Sequence, residues 1–377
     1  MKILILIQCT NLGGMEHNML LLLDELKTLN IDSEVVSIVP VGDLGKKLEA
    51  RNIPVCGGSY RGPGGFLSLA ELHGILKSRQ ADALLMIGHN LMGEIAIGNL
   101  WRGRRALALH YHHTGVKSRF VWNLIYGIAC LQFRRIGFVS DYIMKEAISV
   151  APFLKGKAGM ISTPVESHDP FPSEARDAAR KTLGIQEGEF VIGNAGWLIR
   201  RKRWDVFLDT SAEVAKKHGR IRLLVAGDGP ERASLEARAK ELGIFEKIIW
   251  MGWQSDLTKF LQSIDLMLFN SDWDAQPRTP LEAMSYAVPV VASIASGGTR
   301  EVIADDSVGI LIDRHDTGVL ASSILKLIHD PKLRRSLGNA GLHRIRDFGS
   351  PRNHALMTLE ALGFRASDTN LNRWERI

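Results

Sequence analysis

Short runs rich in Ile, Leu and Val alternate along the whole chain with longer stretches whose apolar residues recur every three or four positions. In the first half the runs predict strands at Ile3–Ile7, Ser33–Ile38, Ala83–Met86, Ala106–Leu109 and Ile136–Val139. In the second half they predict strands at Phe190–Asn194, Leu223–Ala226, Ile248–Met251, Leu266–Phe269, Val290–Ala292 and Gly309–Ile312. Helical periodicity fills the gaps, for example over Met15–Leu29 and Leu67–Lys77. Strands alternating with helices in this way predict an α/β protein with parallel, doubly wound sheets. The polar, Pro-bearing stretch Thr163–Ser173 reads as a junction between two such sheets. The division expected is a first domain over 1–163, a linker region over 164–187, a second domain over 188–348 and a helical segment over 349–377.

Size and composition sharpen this picture without identifying a chemistry. At 377 residues the chain exceeds what one hydrophobic core usually organises. Apolar residues at 45% and charged residues at 23% are ordinary globular values. The opening MKILILI is too short for a signal peptide and lacks a small-residue cleavage site. No window approaches the roughly 18 uninterrupted apolar residues of a membrane span. Cys9, Cys56 and Cys130 are scattered, with no Cys-x-x-Cys spacing, so a reduced cytoplasmic protein without structural zinc is expected. A net charge of +6 favours anionic partners without choosing among them. A nucleic-acid partner is not expected, because no recognised motif or basic-aromatic array accompanies that charge.

Ligands of doubly wound sheets sit outside the carboxyl ends of the strands, so the loops that follow strands are where chemistry is expected. After the first strand, NLGGMEH places Gly13 and Gly14 at a helix start, where the backbone can approach an anion closely. The three-glycine dinucleotide fingerprint is missing there. After Phe190–Asn194 comes a basic cluster, Arg200, Arg201, Lys202 and Arg203, entering a helix near Trp204. Ala226–Glu231 reads AGDGPE, a tight turn with Pro230 suited to a helix start. Asn270–Ile303 sets Asp274 and Glu282 eight positions apart across a loop that runs into a helix, ahead of a turn at Gly297–Gly298. Thr279-Pro280-Leu281-Glu282 within it is also a capping box, with Thr279 as N-cap. His110, His112 and His113 follow a first-half strand and could face a cleft or hold a metal.

Asn270–Ile303 resembles the donor-sugar segment of the retaining glycosyltransferases of family 4, which have the GT-B fold. The resemblance extends over nearly the whole chain, through Gly-Asp-Gly-Pro at Gly227–Pro230, Pro-Val-Val-Ala at Pro289–Ala292, Gly-Gly-x-x-Glu-Val-Ile at Gly297–Ile303 and Asp-Pro-x-Leu-Arg-Arg at Asp330–Arg335. It implies two Rossmann-like domains facing each other across a cleft, and a terminal helix that returns to the first domain. It implies a UDP- or GDP-sugar as co-substrate, with no metal and no other cofactor. Lys202, with Arg200 or Arg201, would stabilise the departing diphosphate. Glu282 would hold the ribose, and Asp274 with His110 would position the sugar. Gly13 and Gly14 would meet the diphosphate, Gly252 and Trp253 would lie near the base, and Gln276 and Arg278 would line the donor site.

The chain departs from the family pattern at three places. Trp197 stands where the family has an Arg, Asp274 where it has a Glu, and Ala275-Gln276-Pro277 where it has Gly-Phe-Gly. These losses admit an alternative, a degenerate domain that binds nucleotide or acts as a scaffold. A sugar-nucleotide epimerase or a phosphorylase of the same fold is a further one. Asp272-Trp273-Asp274 looks like the metal motif of the other large glycosyltransferase fold, but its place in a GT-B pattern argues against a metal. Lys117–Arg135 is apolar and aromatic between basic ends. It reads either as a core helix or as a helix lying on an anionic bilayer surface beside a saccharide or lipid-linked acceptor.

Overall fold

The apolar runs pair side by side as two all-parallel sheets in a computed structural model, which describes residues 1–7, 13–57, 69–88, 91–98, 100–101, 105–110 and 118–364. Side chains are described for these residues except 91, 92, 110, 295, 296 and 348. The chain divides into two compact units, one built from Met1–Pro164 and the chain from Gly349 onward, the other from Val165–Phe348.

The first unit contains β1 (Lys2–Ile7), α1 (Gly14–Thr28), β2 (Asp32–Ser37), α2 (Asp43–Glu49), β3 (Val55–Gly57), α3 (Leu69–Ser78) and β4 (Ala83–Ile87). It continues with α4 (Leu91–Ile97), β5 (Arg105–His110), α5 (Arg119–Gln132), β6 (Arg135–Phe138), α6 (Asp141–Val150) and β7 (Ala158–Met160). The strand order is β3-β2-β1-β4-β5-β6-β7. Ile3–Ile7 are all buried because helices cover both faces of the sheet, which is why β1 is apolar throughout rather than alternating. Val55–Gly57 and Ala158–Met160 were not expected as strands. Each is three residues long and contains Gly, so neither carries a local signal, and only the pairing of edge strands to β2 and β6 defines them.

α5 is amphipathic, with one face in the core and another exposed. Trp122, Ile125, Tyr126 and Ala129 are buried, with Trp122 stacked on Tyr126 at 5.2 Å between ring centroids. Phe120, Leu124 and Leu131, on the same face at i, i+4 and i+11, are exposed at 79%, 47% and 66%.

The second unit contains α7 (Ser173–Thr182), β8 (Phe190–Ala195), α8 (Trp204–Lys217), β9 (Ile221–Ala226), α9 (Arg232–Glu241), β10 (Ile248–Gly252) and α10 (Thr258–Ser263). It continues with β11 (Leu266–Asp274), α11 (Arg278–Ser285), β12 (Val290–Gly297), α12 (Thr299–Val302), β13 (Ile310–Asp313), α13 (Thr317–His329) and α14 (Pro331–Phe348). The strand order is β10-β9-β8-β11-β12-β13, with one core under α8, α9 and α13 and another under α10, α11 and α14. α7 lies inside the stretch expected as linker, yet it is fastened to this unit. Arg176 and Arg180 hold Asp265 at 3.0 and 2.7 Å, and Asp265 also accepts the Val191 N–H. Just before it, His168 and Phe171 stack on the two faces of Tyr286 with centroids at 4.3 and 4.1 Å. β11 and β12 run on to Asp274 and Gly297, well past the apolar runs that predicted them, because each strand pairs the other's polar extension.

The last described helix, α15 (Pro351–Leu362), packs on α1 and β5 in the first unit. Its His354 is buried and donates from Nδ1 to the Ser162 carbonyl at 2.7 Å. Burial pushes the imidazole pKa down to about 4. A depressed histidine contributes stability at neutral pH that is lost as the unfolded chain takes up the proton below about 6.5. Urea unfolding at pH 7.5 and 5.5 is therefore expected to show about 1.3 kcal/mol less stability at the lower pH from this group. That increment should be missing from the pH dependence of His354→Gln.

Candidate active site

The strand order of the second unit creates a crevice between β8 and β11, where the winding reverses. β11 pairs with β8 only at Leu266↔Ile192 and Met267↔Gly193, then stays with β12 as far as Asp274↔Gly297. The chain leaving β8 enters the opening as a short 3-10 turn, Arg200–Lys202, ahead of α8. That loop rests on the turn after β9. Leu198 N–H donates to Asp228 O at 2.9 Å, and a Cβ on Gly227 would sit 1.9 Å from the Gly196 carbonyl. The AGDGPE turn is thus a support for the basic loop. Pro230 does not open the helix as expected, because the polar turn extends two residues further and α9 begins at Arg232.

Side chains fasten the basic turn to the end of β11. Lys202 Nζ lies 2.5 Å from Asp274 Oδ2, both side chains mostly buried, and 5.1 Å from the centre of the Phe269 ring. Arg201 donates to the Trp273 carbonyl and lies 3.6 Å from Asp274. Ser271 Oγ donates to Trp273 O at 2.8 Å. Asp274 is therefore the end of a strand rather than part of a loop, and its reach is set by β12 pairing. Arg200, in the same turn, lines a cavity of about 570 Å³ with Ile199, Arg203, Asp205, Glu231 and Asp272.

Glu282 sits on α11, and its capping role is not observed. The helix begins two residues earlier, at Arg278 with Pro277 as the residue before it, so Glu282 is too deep in the helix to reach back. Instead Arg278 Nε donates to Glu282 Oε1 at 2.7 Å, one helical turn away. Burial raises the Glu282 pKa, Arg278 opposes that shift, and Asp256 adds to it. Gln276 is buried in the short connection from β11 to α11. At the other side of the sheet Gly252 ends β10 at φ +68°, and Trp253 meets Trp197 with ring centroids 5.2 Å apart. Both tryptophans are about half exposed.

Arg200, Arg201, Lys202 and Asp274 thus come together, Glu282 with Arg278 forms a second pair, and Trp253 adjoins Trp197. Gly13 and Gly14 lie in the first unit, where the Gly13 N–H donates to Glu16 Oε2 at 3.0 Å at the start of α1. The backbone of His110 ends β5 opposite Phe138. Its side chain, and the whole of His112, His113 and Lys117, lie outside the described residues. Among the described residues no cluster of His, Cys, Asp and Glu has the makings of a metal site. Sequence reasoning passed over Asp272, read only as part of a metal-like triplet, and gave no signal for His315. Asp272 links His315 to Arg203: Arg203 Nη1 lies 3.0 Å from Asp272 Oδ1, and His315 Nε2 lies 3.2 Å from the same oxygen.

Comparison with known proteins bears on this geometry. Residues 175–344, somewhat under half of the chain, match the family described as Glycosyl transferases group 1. The chain is 30% identical over 172 residues to the lipopolysaccharide core biosynthesis glycosyltransferase LpsD of Rhizobium meliloti, covering 46% of this chain and 49% of LpsD. It is 33% identical over 168 residues to the D-inositol 3-phosphate glycosyltransferase of a Mycobacterium species, covering 42% of this chain and 37% of that one. The chain thus spans about half, or less, of the length of these curated relatives. The crystal structure of Anabaena HepE in complex with UDP and glucose is similar over 96% of this chain and 99% of HepE, with 18% identity and a TM-score of 0.83. The two parallel sheets and this likeness give the chain the GT-B fold, with two Rossmann-like domains.

The paired ends of β11 and β12 yield a test. Gly297 has φ +114°, and a Cβ there would lie 2.2 Å from the Asp274 carbonyl. Gly297→Ala is expected to destabilise the protein by roughly 1–3 kcal/mol through this strain. Thermal unfolding measures it, and an unchanged melting temperature would mean that the strand ends are not locked as described.

Proposed function

We propose that this protein is a retaining glycosyltransferase of family 4 that moves a sugar from a nucleoside-diphosphate sugar, with UDP or GDP as the nucleotide, to a saccharide or lipid-linked saccharide. The pathway would be surface polysaccharide or glycoconjugate synthesis; LpsD is named for lipopolysaccharide core biosynthesis. The single observation that carries the reading is the basic turn Arg200–Lys202 held in the β8/β11 crevice against Asp274. In the transfer, the anomeric C–O bond to the diphosphate breaks and a bond to the acceptor oxygen forms on the same face. The acceptor proton passes to the departing diphosphate. Lys202, with Arg200 or Arg201, stabilises the charge that accumulates on that group. Glu282 holds the ribose, Asp274 and His110 position the sugar, and Trp253 lies beside the base, with Gln276 and Arg278 shaping the donor site. No metal or covalent nucleophile is assigned a part, so the rate would rest on orientation and charge.

Ligand-induced thermal stabilisation by UDP, GDP and their sugars tests this. Lys202→Ala is expected to weaken nucleotide-diphosphate binding roughly 10- to 100-fold, the worth of a charged hydrogen bond. Asp274→Asn releases Lys202 from its ion pair and should tighten the bare diphosphate while lowering sugar transfer. No stabilisation of the wild-type protein by any nucleotide would sink the donor site and favour a scaffold role.

The acceptor side of the proposal includes a cytoplasmic protein in peripheral contact with an anionic membrane. No helix among the described residues is long and apolar enough to cross a bilayer. The exposed Phe120, Leu124 and Leu131 of α5, with half-exposed Phe153 just beyond α6, are flanked by exposed Arg119, Arg134 and Lys155. α5 itself contains no acidic residue. Lys157 joins α5 to this following segment, donating to the Cys130 and Phe133 carbonyls at 2.6 and 2.7 Å. Such a face suits insertion of apolar side chains beneath anionic headgroups. Co-sedimentation with phosphatidylglycerol-containing vesicles, absent with phosphatidylcholine alone and lost in Phe120→Ser/Leu131→Ser, is the expected result. Equal sedimentation of wild type and variant would remove α5 from this role.

A further inference from the structure

Beside the Lys202–Asp274 pair, a line of hydrogen bonds runs from the interior of the second unit to the rim of the 570 Å³ cavity. Ser293 Oγ, fully buried on β12, lies 2.8 Å from Asn270 Oδ1 on β11 and 2.6 Å from His315 Nδ1. His315 Nε2 faces Asp272 Oδ1 at 3.2 Å, and Asp272 Oδ1 takes Arg203 Nη1 at 3.0 Å. Arg203 also grips Asp205 at 2.8 Å. The backbone is bent to make these contacts. Arg203 has φ +45°, and Arg314 and His315 have φ +64° and +50°, conformations that cost a residue with a side chain.

With a neutral imidazole, counting protons along this line fixes its direction. If Ser293 gives its only proton to Asn270, it must accept one from His315 Nδ1, and a neutral imidazole then turns a bare Nε2 toward the Asp272 carboxylate. Two acceptors would face each other. In the same arrangement Asn270 Nδ2 is buried with no partner. A half-turn of the Asn270 amide, which exchanges N for O at the same positions, removes the facing acceptors and leaves the amide oxygen rather than an N–H in the unpartnered place. Asn270 Nδ2–H then donates to Ser293, Ser293 donates to His315 Nδ1, and His315 Nε2–H donates to Asp272. Each link then joins a donor to an acceptor, and the carboxylate receives protons from His315 on one side and Arg203 on the other. The charged groups facing His315 are Arg203, Asp205 and Asp272. Burial and then the Arg203 charge lower its pKa, in keeping with a neutral ring.

The sequence Ser–His–Asp also invites comparison with a hydrolytic triad. Ser293 has no exposed surface and is hydrogen-bonded on both sides, so it cannot attack a substrate. The line serves geometry instead.

We infer that neutral His315, carrying its proton on Nε2, is a positioning residue that orients Asp272 and through it sets Arg203 and the adjoining Arg200–Lys202 turn. The consequence for ligand binding rests on the donor-site reading above; the tautomer and the ordering of the turn do not. Asp272 contacts Arg203, the residue that follows Lys202 and ends the 3-10 turn, so a loose Asp272 frees the turn from one of its anchors. Lys202 keeps its own anchor in Asp274, so the variant is expected to loosen the turn rather than unfold the unit.

Three measurements on the 377-residue chain test this. Long-range ¹H–¹⁵N imidazole spectra, with the His315 signals identified by their loss in His315→Gln, should show a neutral Nε2–H ring at pH 7.5. An Nδ1–H ring or an imidazolium at that pH would overturn the assignment. Hydrogen exchange should be faster at the Lys202 and Arg203 amides, which bond to Ile199 O and Arg200 O, in His315→Ala. His315→Gln, whose amide nitrogen can replace Nε2, should restore protection. Unchanged exchange in a folded His315→Ala protein, or equal loss in both variants, would overturn the positioning role. Titration with UDP should then show about fivefold to tenfold weaker binding in His315→Ala and near-normal binding in His315→Gln. If wild type binds no nucleotide, the donor-site reading fails while the exchange and tautomer results still decide the role of His315.

Discussion

The chemistry of the second unit depends on where β11 stops pairing with β8 and goes on pairing with β12. Backbone hydrogen bonds are obligatory, so a strand that leaves one neighbour must keep another or find side-chain partners. β11 keeps β12 through a polar extension, Asn270–Asp274 against Ser293–Gly297. The space left over β8 receives the Arg200–Lys202 turn. Carboxylates and carbonyls from the extension then meet the cations of the turn, so the same divergence that opens the crevice also charges it.

The ion pairs in this crevice work differently from those on the surface. Exposed pairs such as Lys145–Asp141 contribute little, because water screens them and their side chains give up entropy to meet. Lys202 and Asp274 are each only about one-sixth exposed, so their separation would leave a charge poorly solvated. Arg203 shows what such anchoring can sustain. Its backbone is in the left-handed region without being glycine, held by Asp205 and Asp272, and those partners raise the guanidinium pKa further. Local strain is offset by charged hydrogen bonds, and the turn gains a fixed shape.

The sequence was most legible where burial is symmetrical. β1 and β8 are covered on both faces and were read as strands from their apolar runs. Legibility fell where pairing replaces composition. Residues 270–274 and 293–297 contain Asn, Ser, Asp and Gly and carry no strand signal of their own, yet they extend the two strands that form the site. The Thr279–Glu282 capping box is a valid local pattern that lost to its neighbours in sequence. Pro277 set an earlier helix start, and Arg278 claimed the Glu282 carboxylate.

The amino-acid sequence by itself determined the alternation of strand and helix, the doubling of the pattern, and the residue types available at each strand end, because these follow from hydrophobic periodicity and turn chemistry. The tertiary structure alone decided which of those side chains meet. Lys202 and Asp274 are 72 residues apart in sequence and 2.5 Å apart in space. His315 and Asp272 are joined across 43 positions. Such contacts depend on strand order and on where one strand parts from another, and no local pattern in the chain encodes either.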